Sequence, residues 1–222
     1  MKKLLITVAA LAIGMSSLFA WTNNIVLGVA GTIPTKVDTN CKELGTLKFN
    51  SIGMNMGYLG YADFGLSFLG ESTFGFGTAK GGELKKWNSE TFGPANFEMT
   101  QMLGVGYGVI RTDNMYLGLF GVAGWAIDAG VAWEQEDKEV AIKAAALESF
   151  NVGGNITAIY TPTNVFSIYA SLTAGVAFGA VEYMDEVVST KDLDDDFEPK
   201  TDKYFADPFF RILPSIGIAW KF

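Results

Sequence analysis

Strict alternation of side-chain character, sustained over stretches of about ten residues, is the feature that most constrains what this chain can fold into. The clearest stretch runs from Phe97 to Val109. Its odd positions are Phe97, Met99, Gln101, Leu103, Val105, Tyr107 and Val109; its even positions are Glu98, Thr100, Met102, Gly104, Gly106 and Gly108. A helix scatters both sets around its circumference, whereas an extended strand sends them to opposite faces. The same reading puts Phe64, Leu66, Phe68, Phe74 and Phe76 on one face, against Gly65, Ser67, Glu71, Thr73 and Gly75. It separates Phe150, Val152, Ile156 and Tyr160 from Asn151, Gly153, Asn155 and Thr157, and Phe166, Ile168, Leu172 and Phe178 from Ser167, Ser171, Thr173 and Gly179. Near the end, Phe210, Ile212, Ile216, Ile218, Trp220 and Phe222 oppose Arg211, Ser215, Gly217 and Lys221. Weaker strands fall at 22–34 and 115–131. Over 46–58 the apolar phase slips between Phe49 and Ile52, which predicts a bulge.

Composition says where such strands belong. Hydrophobic residues make up 49% of the chain and charged residues only 18%, against about a quarter charged in an ordinary soluble domain. Beyond the N-terminus no segment is apolar enough for a spanning helix. The best, Met115 to Ile127, holds three glycines and a tyrosine and ends at Asp128, short of the roughly 20 apolar residues needed. A closed barrel is the other structure that satisfies its backbone within lipid. The expectation is an all-β, eight-stranded antiparallel up-and-down barrel, apolar side chains outward. A soluble barrel would reverse that orientation.

Connection lengths agree. Short turns are expected at 59–63, 111–114 and 161–164, and long polar segments at 35–45, 77–96, 132–147 and 184–205. Three short and four long connections suit eight strands with both termini on the periplasmic side. Outward aromatics recur ten positions apart in Phe64 and Phe74, Phe97 and Tyr107, Phe150 and Tyr160, and Phe210 and Trp220. Ten tilted strand residues rise about 25 Å, the height of a lipid band between two aromatic girdles.

The N-terminus reads as an export signal: Lys2 and Lys3, an apolar run from Leu4 to Gly14, then small residues up to Ala20. Residues 1–20 are expected to be cleaved, leaving 21–222 as one barrel domain; an uncleaved anchor helix is the alternative. Removal takes two lysines and moves the formal charge from -8 to -10, which disfavours nucleic acid as a partner. Cys41 is the only cysteine and reads as a free thiol.

Chemistry-bearing motifs are sparse. The chain has no histidine, so triads with a His base and His-bearing metal sites are excluded. The alternating glycines thin the inner wall and form no phosphate loop. No catalytic residue, cofactor or metal is assigned. Asp192, Asp194 and Asp196 alternate as calcium ligands do, but the segment lacks the glycine and distal glutamate of the twelve-residue calcium loop. A solvated acidic loop is the reading, with eight acids against three lysines over 184–205, a net of -5. Glu71, Glu98, Asp128 and Arg211 all fall on inward faces and form the candidate lumen charge cluster, either a polar plug or a polar mouth that selects solutes. Tyr116, Phe120 and Tyr169 also point inward, as plugs. Ala141 to Leu147 has helical character and predicts a short helix above the membrane. Lys80, Lys85, Lys86 and Trp87 are placed to touch anionic headgroups, although an ordinary mixed surface loop explains them as well.

The chain ends on Phe222, preceded at alternate positions by Trp220, Ile218, Ile216 and Pro214. This ending resembles the C-terminal assembly signal of bacterial outer-membrane barrels, with Trp220 and Phe222 as its characteristic residues. Over the mature length the pattern is similar to the small eight-stranded OmpX-like and OmpW-like proteins, and Asp207-Pro208-Phe209 with Gly217 and Trp220-Lys221-Phe222 resembles the OmpW ending. The resemblance implies the bacterial outer membrane as location, its lipid as surroundings and the barrel-assembly machinery as partner during biogenesis. The expected function is a non-enzymatic barrel whose loops contact an extracellular ligand or envelope partners. The alternative is a narrow or laterally opening channel for small or hydrophobic solutes.

Overall fold

The computed structural model describes residues 21–40, 45–81, 95–136, 139–162, 166–189 and 202–222. The expected signal peptide, Cys41, the lysines and tryptophan at 85–87 and the aspartates at 192–196 lie outside the described residues. Among the described residues nine strands follow one another: β1 (Trp21–Asp38), β2 (Thr46–Ala62), β3 (Leu66–Lys80), β4 (Ala95–Arg111), β5 (Met115–Glu136), β6 (Glu139–Tyr160), β7 (Ser167–Ser189), β8 (Asp202–Phe205) and β9 (Phe209–Lys221). From β1 to β8 each pairs antiparallel with its sequence neighbour, and β9 closes the ring between β7 and β1. Because β8 and β9 both pair with β7, they are two parts of one wall strand, and the barrel has eight.

The alternation sets the faces. Outward positions carry Leu103, Phe76, Phe210 and Ile216, at 62–70% exposure, while the inward Val37, Leu59, Glu98 and Tyr169 are all at 0%. So much exposed apolar surface is unsustainable in water, and it suits a lipid band. Inside, facing glycines let the wall bend tightly: a Cβ on Gly28 or Gly217 would strike the backbone of the partner strand. The β2–β3 turn closes through Gly65, whose φ of 107° favours glycine, and whose N–H donates to the Ala62 carbonyl at 2.9 Å.

Several expectations are corrected. β2 runs without interruption to Ala62, so the first turn is 63–65 and Phe64 sits in it. The bulge expected between Phe49 and Ile52 lies in the β1–β2 ladder at that height, but its extra residue is on β1, between Thr32 and Thr35, and the register of β2 with β3 is continuous. The apolar phase changes there because Leu47 and Phe49 are buried inward, at 1% each, while Ile52 and Met54 face out. The stretch expected as a helix, Ala141 to Leu147, belongs to β6, paired with β5 on one side and β7 on the other. Two ladders outweigh the small helical preference of its alanines. The long connections shrink for the same reason, since strands extend well into 132–147 and 184–189.

At one seam of the closed ring the strand pairing is interrupted. β1 and β9 pair from Asn24↔Lys221 to Ala30↔Ser215, and contact between these flanks resumes at Thr39↔Ala206 and at Asp207 N–H to Asp38 O, 3.0 Å. Between these points the β1–β9 ladder is interrupted. Each flank carries an extra residue. β1 gains one against β2 between Thr32 and Thr35, and the last strand gains one against β7 between Phe205 and Phe209. The two insertions match, so the register recovers above the gap. Three of the six prolines, Pro34, Pro208 and Pro214, fall in these flanks, where strands that need not donate to a ladder tolerate them.

Candidate functional site

The interior is built in four layers. Towards the short turns, Val26, Leu59, Leu69, Met102, Tyr116, Phe120, Val122, Ile159, Tyr169 and Ala219 form an apolar plug, and Tyr61 stacks on Tyr116 with centroids 4.4 Å apart. The three expected plug residues are all in it. Towards the long connections lies a second apolar layer that includes Val37, Leu47, Phe49, Leu147, Val181 and Phe209. Two polar layers lie between.

Of the four candidate charges, three meet and one stands apart. Arg211 on β9 reaches Asp128 on β5 and Glu98 on β4: Nη2 lies 2.6 Å from Asp128 Oδ2 and 3.1 Å from Glu98 Oε1. All three are almost wholly buried, at 3%, 1% and 0%. The hydroxyls of Thr32 and Ser51 donate to Glu98 Oε2, Thr100 donates to Oε1 at 3.0 Å, and Arg211 Nη1 donates to Ser149 Oγ at 3.4 Å. One guanidinium between two carboxylates leaves this layer with a formal excess of one negative charge.

Glu71 on β3 belongs to the other polar layer and, among the described residues, has no cation beside it. Its Oε1 accepts from the Tyr169 hydroxyl, from Ser171 at 3.0 Å and from Asn55 at 3.4 Å. Its Oε2 accepts from Asn155 at 3.4 Å. These neutral donors come from the neighbouring β2 and, across the lumen, from β6 and β7.

Alternation alone puts all these residues inside, but which of them meet depends on the barrel's stagger, which a single sequence does not show. The polar donors Thr32, Ser51, Thr100, Asn55 and Asn155 carry no mark in the sequence for that reason, although each sits at an inward position. Chemically the arrangement is a lattice of paired and hydrogen-bonded charges. A water-filled pore would leave its lining accessible, and these side chains are not.

No protein-family model matches the sequence, and no curated protein matches it. Solved structures do. A major outer membrane protein from Thermus thermophilus aligns at 12% identity over 91% of this chain and 100% of its own, with a TM-score of 0.57. OprG, an outer membrane protein of Pseudomonas aeruginosa, aligns at 11% over 92% and 97%, TM-score 0.49. Ail, the attachment invasion locus protein of Yersinia pestis, aligns at 11% over 90% and 98%, TM-score 0.47. The chain has the fold of the bacterial outer-membrane barrels, and its apolar outer band is what residence in such a membrane requires.

Proposed function

We propose that the chain is a non-enzymatic outer-membrane barrel that displays a structured surface element, the spanning part being a sealed pedestal. The observation that carries this reading is the length of the sheet formed by β5, β6 and β7. β4 partners on β5 end at Val131, and β8 partners on β7 end at Tyr183. Yet β5 and β6 stay paired to Glu136↔Glu139, and β6 and β7 to Glu139↔Ser189. The described residues of β5, β6 and β7 therefore form a three-stranded sheet that continues past their last described partners on β4 and β8. Such a platform offers an extracellular ligand or an envelope partner a rigid contact surface. The filled interior supports the reading by opposing axial flow, and the lack of histidine by removing the commonest hydrolytic chemistries. Refolded protein in a planar bilayer should be electrically silent after verified insertion, and a cysteine placed at Asp137 in a Cys41→Ser background should react with a membrane-impermeant maleimide on intact cells. A stable ohmic current from the wild type would overturn the reading.

The interrupted seam between β1 and β9 favours a second reading, lateral passage of a small apolar solute between the upper interior and the lipid. Ile33→Cys with Ile212→Cys, again in a Cys41→Ser background, places two thiols across the gap. If oxidation of that pair abolishes uptake of an apolar probe by cells carrying the barrel, and reduction restores it, the seam is a route; uptake indifferent to the crosslink rejects it.

A further inference from the structure

Above the lipid band, the outer face of β1, β2 and β3 carries a row of like charges. Lys36 pairs with Lys48, and Lys48 with Lys80, so three lysines stand side by side on three adjacent strands, all exposed. Like charges directly opposite one another destabilise a sheet. The chain is acidic, with 24 Asp and Glu against 16 Lys and Arg, yet none of the three lysines makes an ion pair with a described residue. The nearest carboxylate along β1, Asp38, takes its hydrogen bond from the Thr46 hydroxyl. On the wall strand next to β1 the arrangement differs: Lys203 on β8 is paired with Glu182 at 2.9 Å and Glu148 at 3.9 Å.

The height of the row is informative. One outward step below it, Asn50 Oδ1 accepts from the Thr78 N–H and hydroxyl, both at 2.8 Å. A second step below, Ile52 and Phe76 are exposed at 67% and 70%, and Phe76 packs on Phe97 with centroids 5.6 Å apart. Four strand residues at a tilt near 40° rise about 10 Å, which carries the lysines from the apolar edge into the headgroup layer. Chains of this length extend their ammonium groups into that layer while their stems cover apolar surface.

We propose that Lys36, Lys48 and Lys80 form a seat for the phosphate groups of a phosphorylated outer-leaflet glycolipid. Adjacent strands are about 4.8 Å apart, so the row spans about 10 Å, wide enough for a headgroup with more than one phosphate. The anion offsets the repulsion within the row, and the apolar surface beneath it receives the acyl chains. Charge and apolar surface act together, which sets a lipid phosphate apart from a free one.

The test is lipid retention by refolded full-length mature chain in detergent, read by native mass spectrometry. Wild type should hold bisphosphorylated lipid A, the triple variant Lys36→Gln, Lys48→Gln, Lys80→Gln should hold it at least tenfold more weakly, and Lys203→Gln should match wild type within twofold. The triple Lys→Arg variant should restore binding. Should the triple Gln variant fail to fold, Lys48→Gln alone removes the centre of the row, with a several-fold loss expected. Retention within twofold by folded charge-removed protein would overturn the proposal. So would equal retention of fully dephosphorylated lipid A, or complete displacement by equimolar inorganic phosphate.

Discussion

Arg211 Nη2 lies 2.6 Å from Asp128 Oδ2, and the two residues belong to β9 and β5, which are not neighbours in the wall. The contact is therefore a strut across the lumen, with Glu98 as its second acid. Removing one member of a buried ion pair typically costs about 3–5 kcal/mol, because the remaining charge is left unpaired. Arg211→Met should lower unfolding free energy by about that amount, measured by denaturant titration in detergent. The triple variant Arg211→Met, Glu98→Gln, Asp128→Asn should recover most of the loss. Equal stability of the single and triple variants would show that the three do not act as a unit.

Glu71 poses the complementary case, a buried carboxylate held by hydroxyl and amide donors alone. Glu71→Gln preserves the shape but turns one acceptor into a donor, which then faces either Asn155 or the group around Tyr169. The expected cost is about 1–3 kcal/mol, that of one buried donor without an acceptor. Adding Asn155→Asp should recover part of it by supplying an acceptor. Measured stabilities that add with no recovery would show that the Asn155 contact does not couple to Glu71.

The wall was legible in the sequence, and the interior only in part. Period-two alternation identifies an inward or outward position without any knowledge of partners, so the strands and their faces followed directly, and Glu71, Glu98, Asp128 and Arg211 were placed inside with them. Alternation fails where the environment changes along a strand. Leu47 and Phe49 look out of phase with Ile52 only because the upper interior is apolar, so that apolar no longer means outward. The alanines at 144–146 misled for a different reason: intrinsic preference is a few tenths of a kcal/mol per residue, and a hydrogen-bonded ladder on either side overrides it. The lysine row was invisible because register is a relation between strands. Lys36, Lys48 and Lys80 are scattered in sequence and adjacent only once β1, β2 and β3 pair.

The interrupted seam has a direct solution signature. Within Asn24–Ala30, β1 is paired on both sides, with β2 and with β9; over 31–37 the ladder with β9 is interrupted. Strand amides alternate in direction, so of Gly31, Thr32, Lys36 and Val37 about every second amide points away from β2 and faces the gap. In a hydrogen-exchange experiment on detergent-refolded protein, those amides should exchange at least tenfold faster than their neighbours, while 24–30 stay uniformly protected. Uniform protection through Val37 would mean that the seam is closed in solution, and the lateral reading would fall with it.

The far end of the β5–β6–β7 sheet should be separable from the barrel beneath it. Trp133 pairs with Ile142, and one rung lower Ala132 pairs with Lys143. Replacing residues 133–142 by Asn-Gly joins that lower rung through the two-residue turn that antiparallel strands prefer. Among the described residues the upper apolar layer enters β6 at Ala145 and Leu147, so the shortened chain keeps the described interior packing. Its unfolding free energy should fall by less than about 1 kcal/mol, in line with the tolerance of peripheral loop tips, and its β spectrum should persist. On the proposed function, contact with an extracellular ligand or envelope partner should be lost, which can be read as binding of intact cells to immobilised envelope fractions. A shortened chain that no longer folds would make the sheet part of the barrel's own stability. A shortened chain that folds and binds as before would shift the working surface to the other long connections.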